Sequence, residues 1–142
     1  MIKYQRKKHL GAALLEFVLI LPLTILMFTG IVEITVLHYN KYILLNACRE
    51  GARYGINYTN STYPSEAQIS SYTSNLLSNK LLSMTTSYAS PVITVSSSTR
   101  TPAPGSTLTV SATYLYSDYI LHNFLNSSPQ YNLNASVTMV YQ

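Results

Sequence analysis

From Ala12 to Leu37 the chain reads AALLEFVLILPLTILMFTGIVEITVL, and no charged residue lies between Glu16 and Glu33. A helix needs about 20 mostly apolar residues to cross a bilayer, and this run supplies them. The pattern continues past the run. Apolar or small residues recur at Ile34, Leu37, Leu44, Cys48, Ala52 and Gly55, close to helical spacing. One helix is therefore predicted from about Ala12 to about Tyr54, roughly 65 Å long at 1.5 Å per residue. Pro22 should kink it, and Gly55 with Asn57 should end it. The alternative is a buried core helix, but no other segment could build a core around it.

From Ile56 the chain turns to Ser, Thr, Asn and Tyr, and residues 57–63 read as a loop. Ser65 followed by Gln68 forms a capping box, opening a helix whose apolar stripe is Ile69, Tyr72, Leu76, Leu77, Leu81 and Met84. Val92–Ser97 and Thr107–Tyr116 alternate as strands, separated by a turn at TPAPGS with Pro102, Pro104 and Gly105. A last strand is expected over Ala135–Tyr141, with a short helix or irregular excursion from Asp118 to Gln130. The fold class that follows is α+β. A long N-terminal transmembrane helix extends into a small domain with one further helix and a three- to four-stranded antiparallel sheet.

Charge changes the picture at one end only. The 142 residues carry a formal net charge of +4. Lys3, Arg6, Lys7 and Lys8 supply it. From Ala12 onward, Lys41, Arg49, Arg53, Lys80 and Arg100 balance Glu16, Glu33, Glu50, Glu66 and Asp118. No basic stripe remains for a phosphate backbone, so nucleic acid is not an expected partner. The basic cluster before the apolar run favours a cytoplasmic N-terminus and a domain on the far side. A cleaved secretory signal fits poorly, because the run is long, Glu16 interrupts it and no A-x-A site follows Phe28.

Glu16 is costly in a membrane span and marks a function or a partner; snorkelling towards the interface is its structural alternative. Gly11 follows the basic tail, Glu16 is the fifth residue after it, and Phe17 comes next. This resembles the signal of type IV prepilins and pseudopilins. The resemblance implies a prepilin peptidase cut between Gly11 and Ala12, removing residues 1–11 as a leader with its basic residues. It also implies that Glu16 pairs with a new α-amine, that of a neighbouring subunit in a filament. Ala12 departs from the Phe or Met common at that position in major pilins.

NACREGARYG closes the helical region. It resembles the Ala-Ala-Arg-Glu-Gly-Ala-Arg signature of TadE-like proteins, pseudopilins of the tight-adherence (Tad, Flp) pilus system. Ala47, Arg49, Glu50, Gly51, Ala52 and Arg53 match, and Cys48 replaces the second Ala. The small residues Ala47, Gly51 and Gly55 fall on one face and allow close packing. Glu50 and Arg53 can pair along the helix, as a solvated surface pair or a docking contact. The resemblance implies a leader at 1–11, a transmembrane helix at 12–37, a helix extension at 38–55 and a periplasmic, pilin-like head at 56–142. Its expected partners are the peptidase, other pseudopilins and pilins of the system, the inner-membrane assembly platform and the lipid bilayer. The Arg-Glu-Gly-Ala-Arg string leans to TadE over its sister TadF.

Catalytic chemistry has no evident seat. His9, His38 and His122 are scattered, Asp118 four residues before His122 is too small a set for a metal site, and Cys48 has no base beside it. No cofactor, metal or catalytic residue is expected. The 13 tyrosines suit a core rim more than an adhesive surface. The Asn-x-Ser/Thr sequons at Asn57, Asn60, Asn126 and Asn134 carry little weight. The function expected is assembly or initiation of a Tad/Flp pilus. The competing reading is an uncleaved single-pass tether presenting an adhesive or ligand-binding domain.

Overall fold

The computed structural model describes residues 6–58, 62–83, 89–98, 103–117 and 130–141, with side chains from Gly11 onward. Five elements follow in the order α1 (Arg6–Gly55), α2 (Glu66–Leu77), β1 (Val92–Ser97), β2 (Thr107–Ser117) and β3 (Gln130–Val140). The fold is α+β. Lys3 and the side chains of Arg6, Lys7 and Lys8 lie outside the described residues. So do Met84, residues 118–129 with Asp118 and His122, and the sequons at Asn60 and Asn126.

α1 is a 50-residue helix that continues through Pro22. From Gly11 to Val32 it is apolar on all sides apart from Glu16 and almost wholly exposed, with Leu14 at 64% and Leu19 at 77%. The hydroxyl side chains of this stretch, and that of Thr35 just past it, turn back onto their own helix. The hydroxyls of Thr24, Thr29 and Thr35 donate to the carbonyls of Ile20, Leu26 and Ile31 at 2.8–3.0 Å. A carbonyl already in the helix accepts each of them, so none needs water.

Burial begins at Glu33. From there one face of α1 carries the buried residues Glu33, Val36, Asn40, Leu44, Ala47, Cys48, Gly51, Ala52 and Gly55. Their three- and four-residue spacing keeps them in line along the helix. That face packs on α2, β2 and β3.

α2 starts as expected from its capping box. The Gln68 amide donates to Ser65 Oγ at 3.3 Å, and the Ser65 amide donates to Gln68 Oε1 at 2.9 Å. It ends sooner than its apolar stripe. Asn79 adopts a left-handed backbone with φ 60°, a conformation Asn tolerates better than most residues. The helix therefore stops at Leu77, and Leu81 reaches the core from beyond it. The buried column of this segment is Ile69, Thr73, Leu77 and Leu81, while Tyr72 is 38% exposed.

The sheet is a three-stranded antiparallel meander, β1-β2-β3. Val95, Val110 and Val137 stand in one row across it. The inward positions of β2 are Leu108, Val110, Ala112, Tyr114 and Tyr116, all buried. The outward face bears hydroxyls that pair across strands, Thr109 with Thr138 at 2.8 Å and Ser111 with Ser136 at 2.9 Å. β1 occupies the expected residues. β3 begins at Gln130 rather than Ala135, because Tyr131 to Asn134 pair with Tyr116 to Thr113. Asn132 and Asn134, poor strand formers by composition, sit on that register and are exposed. At the β1–β2 turn Gly105 takes φ +86°, and the Ser106 hydroxyl donates to the Ala103 carbonyl at 2.6 Å.

Candidate functional site

The NACREGARYG string divides by face. Ala47, Cys48, Gly51, Ala52 and Gly55 point inward, and Arg49, Glu50 and Arg53 point outward. A Cβ on Gly51 would run into Thr73 Oγ1 and lie 3.3 Å from Thr73 Cβ. A Cβ on Gly55 would run into the Leu108 side chain and come within 2.8 Å of Ile69 Cδ1. At Gly51 the helix α2, and at Gly55 both β2 and α2, come close enough that even a methyl group would displace a buried neighbour.

Cys48 is fully buried and its thiol lies 3.7 Å from the Ala135 carbonyl, within weak hydrogen-bond range. Burial pushes the thiol up to about 11, against a smaller opposing pull from a hydrogen bond with the Ala112 backbone. The neutral thiol is a poor nucleophile. Cys48 acts here as a small apolar packing residue.

On the outward face Arg53 and Glu50 form an ion pair at 3.6 Å, with both side chains more than half exposed. Glu50 also lies where two depressions of the α1–α2 seam meet. One, of about 420 Å³, is lined by Glu50, Arg53, Tyr54, Ile56, Asn57 and Tyr72. The other, of about 150 Å³, is lined by Ile43, Asn46, Ala47, Glu50, Leu76 and Lys80. Tyr54 stacks on Tyr72 between the helices, ring centroids 4.5 Å apart and planes inclined at 17°.

The other expected site residues are far from this string. Gly11, Ala12, Glu16 and Phe17 lie in the exposed apolar part of α1, roughly 50 Å along the axis from Ala47 at 1.5 Å per residue. The structure does not bring the two sets together. Glu16 has no hydrogen bond or ion pair among the described residues, unlike the threonines that follow it.

Two residues escaped the sequence reading. Asn40, fully buried, grips the Leu82 backbone with both ends of its amide. Nδ2 donates to the Leu82 carbonyl at 2.7 Å, and the Leu82 amide donates to Oδ1 at 2.8 Å. A polar residue four before Leu44 and four after Val36, on the inward line, was the available signal. Thr73 was masked by its polarity in the same way. Among the described residues, no group of three or more His, Cys, Asp or Glu could hold a metal ion.

Residues 11–53 match the family of TadE-like proteins. The match covers α1 from Gly11 to two residues before its end, including both the Gly11–Phe17 segment and the string from Ala47 to Arg53. No curated protein and no solved structure was found to match the chain. The matched segment lies within the one helix, among the described residues, that is long and apolar enough to cross a membrane. Family and helix together fit a single-pass membrane protein of the Tad system. The head beyond Arg53 lies outside the TadE-like match.

Proposed function

We infer that this TadE-like chain is a minor pseudopilin of a Tad/Flp-type pilus, with a role in assembly or initiation rather than catalysis. A prepilin peptidase removes residues 1–11 on the cytoplasmic side of the inner membrane. The apolar part of α1 then anchors the protein, and the head stands in the periplasm. Partner pilins and pseudopilins engage through the helix, with the assembly platform beneath them.

One observation carries this reading. In an apolar stretch of helix whose hydroxyls are all satisfied by their own backbone, Glu16 is charged, exposed and, among the described residues, without a hydrogen bond or ion pair, five residues after Gly11. An isolated carboxylate in hydrocarbon is expensive. The α-amine released at Ala12 of a neighbouring subunit is a partner of the right charge, and cleavage after Gly11 creates it. TadE-like similarity over the same segment supports the reading.

The test is to express the chain with and without a prepilin peptidase and read the mature N-terminus by mass spectrometry. A start at Ala12 that disappears in Gly11→Ala is expected. An intact Met1 in both strains refutes the reading and favours an uncleaved tether. Glu16→Ala should still be cleaved but fail to enter a pilus complex, and its normal incorporation would remove the pairing role.

A further inference from the structure

Directly beyond the apolar run, α1 carries His38, Tyr39, Lys41 and Tyr42, all exposed, with Tyr39 at 42% and Tyr42 at 61%. At 3.6 residues per turn these four cover the outward half of the helix. The inward half at the same level belongs to Asn40, whose amide holds the Leu82 backbone against α1. The Leu82 side chain is itself 49% exposed. Two tyrosines, a lysine, a histidine and a leucine thus close a ring around one level of the helix. The ring contains no carboxylate. Glu33, the nearest acid along α1, is buried below it.

We propose that this ring is a binding surface for anionic phospholipid headgroups of the leaflet from which the head emerges. This rests on the membrane anchorage inferred above, and three observations make lipid the occupant. The exposed apolar surface of α1 runs through Ile31, Val32 and Ile34 to the edge of the ring without a polar gap wider than one turn. Side chains on a helix lean towards its N-terminus, which is the membrane side here, so the rings and the Lys41 ammonium reach down towards the headgroups. Tyr and Lys are the residue types that membrane–water interfaces favour, because each joins an apolar body to a polar tip. Lys41, as the ring's fixed cation, selects anionic over zwitterionic headgroups. The Asn40 clamp gives the ring its inward half, and so holds the head down on the bilayer.

The chain has no tryptophan, so Tyr39→Trp, Tyr42→Trp and, just past the far end of α1, Tyr58→Trp each introduce a single tryptophan that can be excited selectively over the tyrosines. Phe28→Trp reports on the span itself. Each full-length variant is reconstituted into nanodiscs of phosphatidylcholine alone or with phosphatidylglycerol, and quenched by headgroup nitroxide, deep-chain nitroxide or aqueous iodide. Tyr39→Trp and Tyr42→Trp should be quenched by headgroup nitroxide and shielded from iodide. Tyr58→Trp should respond to iodide alone. Phosphatidylglycerol should deepen the headgroup quenching of Tyr42→Trp. Lys41→Gln should reduce the preference for anionic lipid about fivefold, the worth of one cation near an anionic surface. Iodide quenching of Tyr39→Trp equal to that of Tyr58→Trp overturns the proposal. So does headgroup quenching indifferent to both phosphatidylglycerol and Lys41. Deep quenching of Phe28→Trp in those cases leaves the membrane anchor standing; its loss removes the anchor and this proposal together.

Discussion

Gly51→Ala sets two effects of opposite sign against each other. In a helix interior the change gains about 1 kcal/mol, because alanine loses less backbone entropy than glycine. Here the added methyl runs into Thr73 Oγ1 of α2. That hydroxyl is not free to swing away. It is buried and donates to the Ile69 carbonyl at 2.8 Å, so rotation sacrifices a hydrogen bond of about 1 kcal/mol. Otherwise α2 must lift from α1, and overpacking of this kind costs about 1–3 kcal/mol. The net expectation lies between no gain and a loss of about 2 kcal/mol, and in a head of this size each kcal/mol lost lowers the melting temperature by about 4–8 °C. Thr73→Ala removes the obstructing oxygen and leaves the Thr73 Cβ, at 3.3 Å, as the nearest atom. In that background Gly51→Ala should be neutral or stabilising. The assay is thermal unfolding of the four proteins of the cycle in detergent, followed by circular dichroism. An equal loss from Gly51→Ala in both backgrounds would refute the reasoning, as would a gain in the wild-type background.

Asn40→Leu strands the amide and carbonyl of Leu82, and should cost about 2 kcal/mol or more; rapid hydrogen exchange at the Leu82 amide would report it. Cys48 should resist thiol reagents at neutral pH until the protein unfolds. Its folded-state value of about 11 exceeds the ordinary 9.0, so the folded state holds the proton more tightly. The stability this provides is present below pH 9 and is lost as pH rises from 9 through 11. Cys48→Ala should flatten that part of the stability profile, against a residual slope from Tyr141, whose phenol burial also pushes up. Glu50→Ala breaks only an exposed ion pair and should change stability by less than about 1 kcal/mol. If it nevertheless lowers recovery of pilus subcomplexes in pull-downs, the outward face of the motif is a docking contact; unchanged recovery makes it a solvated pair.

Periodicity made the long helix and the inward line of the motif legible, since small residues spaced by four need no long-range information to be placed on one face. The capping box at Ser65–Gln68 and the alternation of Val92–Ser97 were equally local. Errors arose where a tertiary partner overrode composition. Asn132 and Asn134 look like loop residues, yet the register with β2 carries them into β3. Thr73 and Asn40 are polar, and polarity alone places them outside the core. Each is buried because it meets one particular group, the carbonyl of Ile69 or the backbone of Leu82. Nothing near either residue in sequence announces the partner of Asn40, which lies 42 positions away. The outward residues of the motif were named from the chain, but their meeting with Tyr72 and Lys80 of the α2 side depends on how two helices are juxtaposed.

The inward line of α1 from Glu33 to Gly55 has a mechanical consequence. The head is attached along roughly 33 Å of helix at 1.5 Å per residue, parallel to the axis, and not at a single point. Tension applied to the N-terminal end of α1 along that axis would load the whole seam at once, in shear. Detachment would require the contacts of Leu44, Cys48 and Ala52 to slip together with the Asn40 clamp. A pull across the axis would open the same contacts one after another, as a zip.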